Sequence, residues 1–299
     1  MNNNKFIYFI LLFLLLVSCK PKKAEINQNI NGNKKDISFE IDSSEIEVFK
    51  NLIRYSQKNN LNKKTIPEIE IEIAKYFLGT PYTGHTLEKN GEEHLVVNLR
   101  EFDCTTFVEN VVALTSCVKK NKTTFDDFAK TLTKFRYRNG QIDKYPSRLH
   151  YFTDWLLDNE KKGLISIVSN SFAVDNFDPT VDFMSTHPQY YKQLKNIGFV
   201  KQIAKKEEEI SKAKLKYISQ DKIFQNEKHI KNGDIIAITT PIKGLDIAHV
   251  ALAYYVDGRL HILHASSKQK KVVVSKKTLE DYLKGIKSKD GIIVARLKI

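Results

Sequence analysis

The 299-residue sequence predicts an α+β fold, with helices first and an antiparallel sheet after them. In its first half, apolar residues recur at three-to-four spacing, the signature of amphipathic helices. In its last third, short β-branched runs follow one another closely between turn signals. No Gly-rich phosphate loop, internal repeat or alternating βα pattern interrupts this order, which argues against a doubly wound parallel sheet.

The first 18 residues read as an export signal. Lys5 precedes an apolar run from Phe6 to Val17, too short to span a bilayer comfortably and the right length for a signal-peptide core. The run ends in Leu16-Val17-Ser18-Cys19, which resembles the lipobox of bacterial lipoproteins. That resemblance implies cleavage before Cys19, acylation there, and a lipid-anchored protein in the cell envelope, periplasmic or on the outer membrane. Residues 19–43 are polar, rich in Lys and Asn, and lack a core pattern, so they read as a flexible tether. Residues 44–299 then form the folded domain.

Within the domain, "SEIEVFKNLIRYSQKN" and "IPEIEIEIAKYFLGT" predict two helices, the second closed by Gly79, and "HLVVNL" a short strand. Helical patterns follow Cys104, recur near 124–136 and in "LHYFTDWLLDNEKK", and return in the charged "KQIAKKEEEISKAKLKY", whose charges suit a solvent-facing surface. The stretch of about 120–225 thus reads as a helical insertion. From residue 230 onward, "GDIIAITTP", "IAHVALAYYV", "RLHILHAS", "KKVVVSK" and "GIIVARLKI" predict the sheet, with a short helix in "DYLKGIKS".

Net charge is +13, which favours an anionic partner such as nucleic acid, an acidic membrane surface or an acidic envelope polymer. No Lys/Arg block interleaved with aromatics occurs, nor any nucleic-acid-binding motif, so nucleic acid is not the expected partner.

Beyond Cys19, the cysteines are Cys104 and Cys117. In an exported protein such a pair suggests a disulfide. Thirteen residues apart on one helix, however, they lie roughly 20 Å apart along its axis, beyond disulfide reach. Asp103 is a good N-cap and puts Cys104 in the first turn, where free amides and the helix dipole lower a thiol pKa and offer donors to an oxyanion. Cys117 lies three turns deeper and reads as core filler.

A thiol nucleophile needs a base. Asp257-Gly258 is a two-residue hairpin signal, and its register sets Tyr254 opposite His261 and Ala251 opposite His264. His249, Ala251 and Ala253 then share one face, with His264 a diagonal neighbour of His249. The small Ala251 and Ala253 suggest that the cysteine helix packs on that face. Two rival readings stand beside a nucleophilic site: satisfied structural residues, and a zinc site of Cys104, His249 and His264, a set that lacks any HExxH or CxxC motif.

"FDCTTFVENV", "NGDIIAITT", "IAHVALAYY" and "LHAS" resemble, in that order, the motifs of NlpC-type, papain-like cell-wall hydrolases, and "AKYFLGTPYTG" resembles their LG-x-PY segment. The resemblance implies Cys104 as nucleophile, His249 as base, His264 as the residue that orients it and Tyr82 as a support near the oxyanion, beside the Asp103 cap. It implies no metal and no cofactor. "DCTTFVENVVAL", "SRLHYFTDWLLDN", "FMSTHPQYYKQL" and "GLDIAHVALA" are similar to the N-acetylmuramoyl-L-alanine amidase-like branch. That branch implies peptidoglycan or muropeptides as substrate, cut between the lactyl group of muramic acid and the first alanine. Two departures stand out: the common Gly-Gly after the tyrosine is absent in "PYTGHT", and the gap from Cys104 to His249 is long.

Within that gap, Ser147, Arg148, His150 and Tyr151, next to Trp155, are the expected substrate-binding group, with Arg148 to grip a stem-peptide carboxylate. "FMSTHPQY" is a second candidate cleft loop. An ordinary aromatic core face accounts equally well for the first motif. The alternative functions are a γ-D-glutamyl-diamino acid endopeptidase with the same chemistry, and an envelope-binding lipoprotein with a degenerate site.

Overall fold

The computed structural model describes residues 39–40, 42–88 and 91–299. The signal segment, Cys19 and most of the tether lie outside the described residues. A short strand, β1 (Phe39–Glu40), pairs in parallel with β2 (Leu95–Val96). Helix α1 (Ser43–Lys58) is capped by Asp42, which accepts from the Ser44 amide. Helix α2 (Ile66–Tyr76) opens with the Thr65 amide donating to Glu68. The chain then turns through Gly79 at φ +87°, a conformation suited to glycine.

Helix α3 (Cys104–Lys119) is buried at every residue from Thr106 to Val118. Such a helix needs neighbours on all sides. Helix α2 packs on it, as does α4 (Phe125–Arg136). Burying the polar Glu109 in this helix requires a partner, and Arg136 of α4 supplies it at 2.7 Å, both side chains being 2% exposed. Cys117 lies inside α3 as expected, its thiol donating to Thr131 Oγ1. It and Cys104 are both free.

Helix α5 (Phe152–Lys161) leads into an insertion less purely helical than its sequence pattern suggests. It holds strands β3 (Ile165–Ser166) and β4 (Asp175–Phe177), helices α6 (Phe183–Thr186) and α7 (Ile197–Ser211), strand β5 (Leu215–Ser219) and helix α8 (Ile223–Asn226). The remaining elements are β6 (Ile235–Thr239), β7 (Ile247–Val256), β8 (Arg259–Ser266), β9 (Lys271–Val274), α9 (Leu279–Leu283) and β10 (Gly291–Leu297). The sheet runs β4-β5-β10-β6-β7-β8-β9, with β3 also on β10, and every pairing in it is antiparallel. The three inserted strands escape a sequence reading because they are two to five residues long and acquire their partners only from the C-terminal sheet.

Alternation along the strands gives the sheet two apolar faces. Val250, Leu252, Leu263, Ala265, Ile235 and Ile293 join the core that contains α3. Ala251, Ala253, Ile262, Ile236 and Ile292 form a second core with Leu279 and Leu283 of α9. The expectation that α3 packs on the Ala251/Ala253 face is therefore corrected. The larger side chains of the opposite face offer α3 more apolar area to bury, and the small pair accommodates α9.

The Glu109–Arg136 pair makes a testable demand on stability. Arg136→Met leaves a buried carboxylate uncompensated and is expected to cost about 3–5 kcal/mol, read from urea denaturation. Glu109→Leu combined with Arg136→Met is expected to recover most of that loss. A single-variant loss below about 1 kcal/mol is the result expected of a solvated pair.

Candidate active site

The site begins at the first turn of α3. Asp103 Oδ1 accepts from the Thr106 amide at 2.7 Å and from its hydroxyl at 2.9 Å, and Thr106 Oγ1 accepts from the Asp103 amide at 3.0 Å. This reciprocal cap makes Cys104 the first helical residue, as the sequence predicts. The pairing of β7 with β8 ends at Leu252↔Leu263, and beyond it the Val250 amide donates to the Cys104 sulfur. The hydroxyl and amide of Thr105 add further bonds to the sulfur.

These donors favour a thiolate, yet they do not prevail. Burial, and then the neighbouring Asp103 carboxylate, push the Cys104 thiol up to about 11. The expectation that the helix start lowers this pKa is corrected: desolvation of the sulfur outweighs the dipole and its donors. The residue that caps the helix also places a negative charge beside the thiol.

The histidines meet as the hairpin register predicts, with Tyr254↔His261 paired and His249 Nε2 lying 2.7 Å from His264 Nδ1. A β-bulge between Ile238 and Thr239 interrupts the β6–β7 register at His249 and leaves Ala248 unopposed. Burial holds His249 well below the usual imidazole range, with the His264 and Lys289 charges acting the same way. Burial and Lys289 push His264 down to about 4. Both rings are neutral at neutral pH and share one proton between the facing nitrogens. If His249 carries that proton on Nε2, its Nδ1 is a free base and His264 holds its own proton on Nε2, which has no hydrogen-bond partner among the described residues.

Tyr82 is pinned beside the helix start. Its backbone bridges to Phe102, and its amide donates to Lys270 O at 2.9 Å. Its half-buried phenol is held above the usual range by burial and by the charges of Cys104 and Asp103. Cys104, Asp103 and Tyr82 thus gather at one place, with His249 next in sequence to the residue that binds the sulfur.

The expected substrate-binding group is placed otherwise. Arg148, 5% exposed, is held by Glu88 at 2.7 Å and Glu93 at 3.2 Å, so its charge is already matched within the chain. Ser147 donates to Lys144 O, and His150 Nε2 pairs with Tyr145 O. Tyr151 donates to Glu207 and accepts from the Met184 amide. Their polar atoms hold the insertion together, and Arg148 ties the segment after Tyr82 to it. The reading of Arg148 as an open carboxylate grip is corrected on this ground. A surface cleft of about 270 Å³ in the insertion is lined by Arg138, Asp154, Lys161, Lys206 and Glu209 and by none of the gathered site residues.

Two residues that the sequence reading missed complete the surroundings. The Tyr282 ring on α9 stands edge-on to His264 with centroids 5.8 Å apart, and Lys289 Nζ lies 4.7 Å from the centre of the Tyr282 ring. No local pattern distinguishes Lys289 from the other lysines, and tertiary packing alone selects it. No group of three His, Cys, Asp or Glu among the described residues is arranged to hold a metal ion. The 2.7 Å between the imidazole nitrogens is a hydrogen-bond distance, shorter than the separation of two nitrogens bound about 2.0–2.1 Å from one tetrahedral zinc.

The fold and site thus define an α+β protein with a half-buried thiol at a helix start and an imidazole pair on the adjoining strands. Residues 72–292 match the AmiA-like family, described as N-acetylmuramoyl-L-alanine amidase-like, and the chain belongs to that family. A crystal structure of an N-acetylmuramoyl-L-alanine amidase from Bacteroides uniformis is 42% identical, with a TM-score of 0.75, over 78% of this chain and 99% of that one. A structure from Bacteroides fragilis, named a candidate xylanase, is 43% identical over 76% of this chain and 100% of its own, with a TM-score of 0.73. A Legionella pneumophila protein of the DUF1460 family shares the fold at 22% identity and TM-score 0.65, covering 86% of this chain and 95% of that one. A comparison with curated proteins finds no match.

The electrostatics predict two measurable behaviours. Iodoacetamide is expected to label Cys104 and spare Cys117 in the native protein, with a rate that still climbs above pH 9 because the thiol ionises near 11. A rate already level from pH 6 upward is what a preformed thiolate–imidazolium pair produces. Lys289→Met removes a charge that disfavours both imidazolium forms, so both ring titrations are expected to move to higher pH in NMR spectra. Unmoved titrations place Lys289 outside the electrostatic reach of the pair.

Proposed function

We propose that the protein is a cysteine-dependent peptidoglycan amidase that cuts between the lactyl group of muramic acid and the first alanine of the stem peptide. Family membership supports the amidase chemistry. The observation that carries the choice of nucleophile is the Cys104 sulfur bound by the amide next to His249, itself 2.7 Å from His264.

In this proposal, the chain has a papain-like, NlpC-type core, and thiol and imidazole rest neutral. Cys104 Sγ attacks the amide carbonyl carbon while His249 Nδ1 takes the thiol proton. His264 accepts the Nε2–H of His249 and so holds the tautomer that leaves Nδ1 basic. Amides of the first turn of α3, with the Tyr82 phenol, receive the developing oxyanion. His249 returns the proton to the departing alanine nitrogen, which leaves a thioester on Cys104. A water deprotonated by His249 then releases the muramic acid carboxylate and restores the thiol.

The xylanase name of one similar structure points to a glycosidic bond. Glycosidic cleavage ordinarily uses two facing carboxylates. The acid beside this thiol, Asp103, caps the helix through Thr106, which favours the amide reading. The proposal places the domain in the cell envelope, anchored by a lipid on Cys19. The full chain's net charge of +13 suits the anionic polymers there.

Mass spectrometry of a muropeptide digest is the decisive test. Free stem peptides beginning with alanine are the expected products, and Cys104→Ala is expected to abolish them. Products cut after D-glutamate indicate the endopeptidase instead, and an active Cys104→Ala variant removes the thiol mechanism. His249→Ala is expected to lower kcat by about 10²–10⁴-fold, the usual scale of a general-base contribution, with little change in KM. Because His249 stays neutral until well below pH 6.5, the acid limb of kcat/KM is expected below that value.

A further inference from the structure

The segment "FMSTHPQY" forms a feature that the mechanism does not use. Three of its rings lie nearly parallel. Phe183 and His187 stack with centroids 4.5 Å apart and planes 18° apart. Tyr190 is inclined to them by only 15° and 6°, at 6.3 and 6.0 Å. Tyr190 is 69% exposed, although an aromatic ring in a folded domain gains most from burial. The group is too small and too polar for a protein-binding patch, which needs several hundred Å² of contiguous apolar surface.

The start of the segment that carries these rings is fastened to the loop before β7. Val181 bridges to Gly244, and the amides of Asp182 and Phe183 both donate to Gly244 O, at 3.2 and 3.1 Å. Gly244 has φ +84°, and a Cβ there would lie 2.6 Å from Asp182 Oδ1 and 3.3 Å from Phe183 Cα, so only glycine permits the approach. On the other side, the Met184 amide donates to Tyr151 and the Ser185 amide to Glu207. Gly244 precedes His249 by five residues. Between them, buried Asp246 accepts from the Thr153 and Ile247 amides, tying the same loop to the start of α5. The aromatic group and the base therefore belong to one fixed piece of structure.

We propose that Phe183, His187 and Tyr190 form a saccharide platform at the rim of the site, taking the pyranose ring on the sugar side of the cut amide. The negative face of an aromatic ring attracts the polarised C–H groups that line one face of a pyranose. The Tyr190 hydroxyl and the His187 Nε2 edge are polar tips suited to ring hydroxyls and an N-acetyl group. The inference rests on the amidase reading, since of the two amide cuts considered only that one has a sugar on its acyl side, joined through the lactyl group.

The test compares two substrates that share the scissile amide: a muramoyl-peptide, and a D-lactoyl-alanyl peptide without the sugar. Wild type is expected to favour the first in kcat/KM by about tenfold or more, on the scale of one or two aromatic contacts. Tyr190→Ala is expected to shrink that ratio toward one, chiefly through KM, and Tyr190→Phe to retain most of it. A ratio unchanged in Tyr190→Ala overturns the platform and leaves the amidase intact. If wild type cuts neither substrate, the amidase reading falls, and a titration of the full chain carrying Cys104→Ala with the N-acetylglucosaminyl-N-acetylmuramic acid disaccharide decides the platform separately. Shifts of the Tyr190 and His187 ring signals support it, and their absence overturns it.

Discussion

The candidate site hangs on the point where β7 and β8 part, past Leu252 and Leu263. While the strands pair, their amides are satisfied by one another. Once they separate, the Val250 amide needs an acceptor, and the Cys104 sulfur supplies one. Side chains on β7 alternate about that same residue. Val250 belongs to the core around α3, and His249 projects to the face covered by α9, where His264 and Tyr282 lie. The thiol comes from one side of the sheet and the imidazoles from the other. A sheet paired to its end offers no free amide at this position.

The same burial that builds the site sets its resting protonation. A sulfur beside a helix start and three donors has several reasons to ionise. Removing it from water and setting it next to Asp103 outweighs them all. His249 and His264 are likewise kept neutral by burial, and Lys289 reinforces this. The thiol and both imidazoles therefore rest uncharged at neutral pH. The insertion contributes rigidity more than charge. Arg148, Tyr151, Glu207 and Asp246 tie separate segments together, and the Gly244 carbonyl fastens the aromatic segment to the loop that leads into β7.

Much of this was legible in the residues. The Asp-Gly turn has a fixed geometry, and side chains on strands alternate, so the hairpin register and the partnership of His249 with His264 follow from spacing alone. Asp103 as cap and Cys117 as core follow from local helix rules. The direction of the Cys104 shift did not follow, because it depends on how much water the surrounding elements exclude. Nor did the face on which α3 packs, since both faces of a central sheet are apolar and only the competing helices decide between them.

The residues alone specify the main helices and the C-terminal strands in order, the start of the cysteine helix, the hairpin register, and the set of chemically able side chains. These rest on interactions between near neighbours in the chain. Only the tertiary structure shows that Arg148 is already paired, that Lys289 and Tyr282 stand beside the imidazoles, that three short strands of the insertion join the sheet, and that a parallel group of rings is fastened to the loop before β7. Those outcomes join residues far apart in sequence, and desolvation and charge pairing have values only once every neighbour is in place.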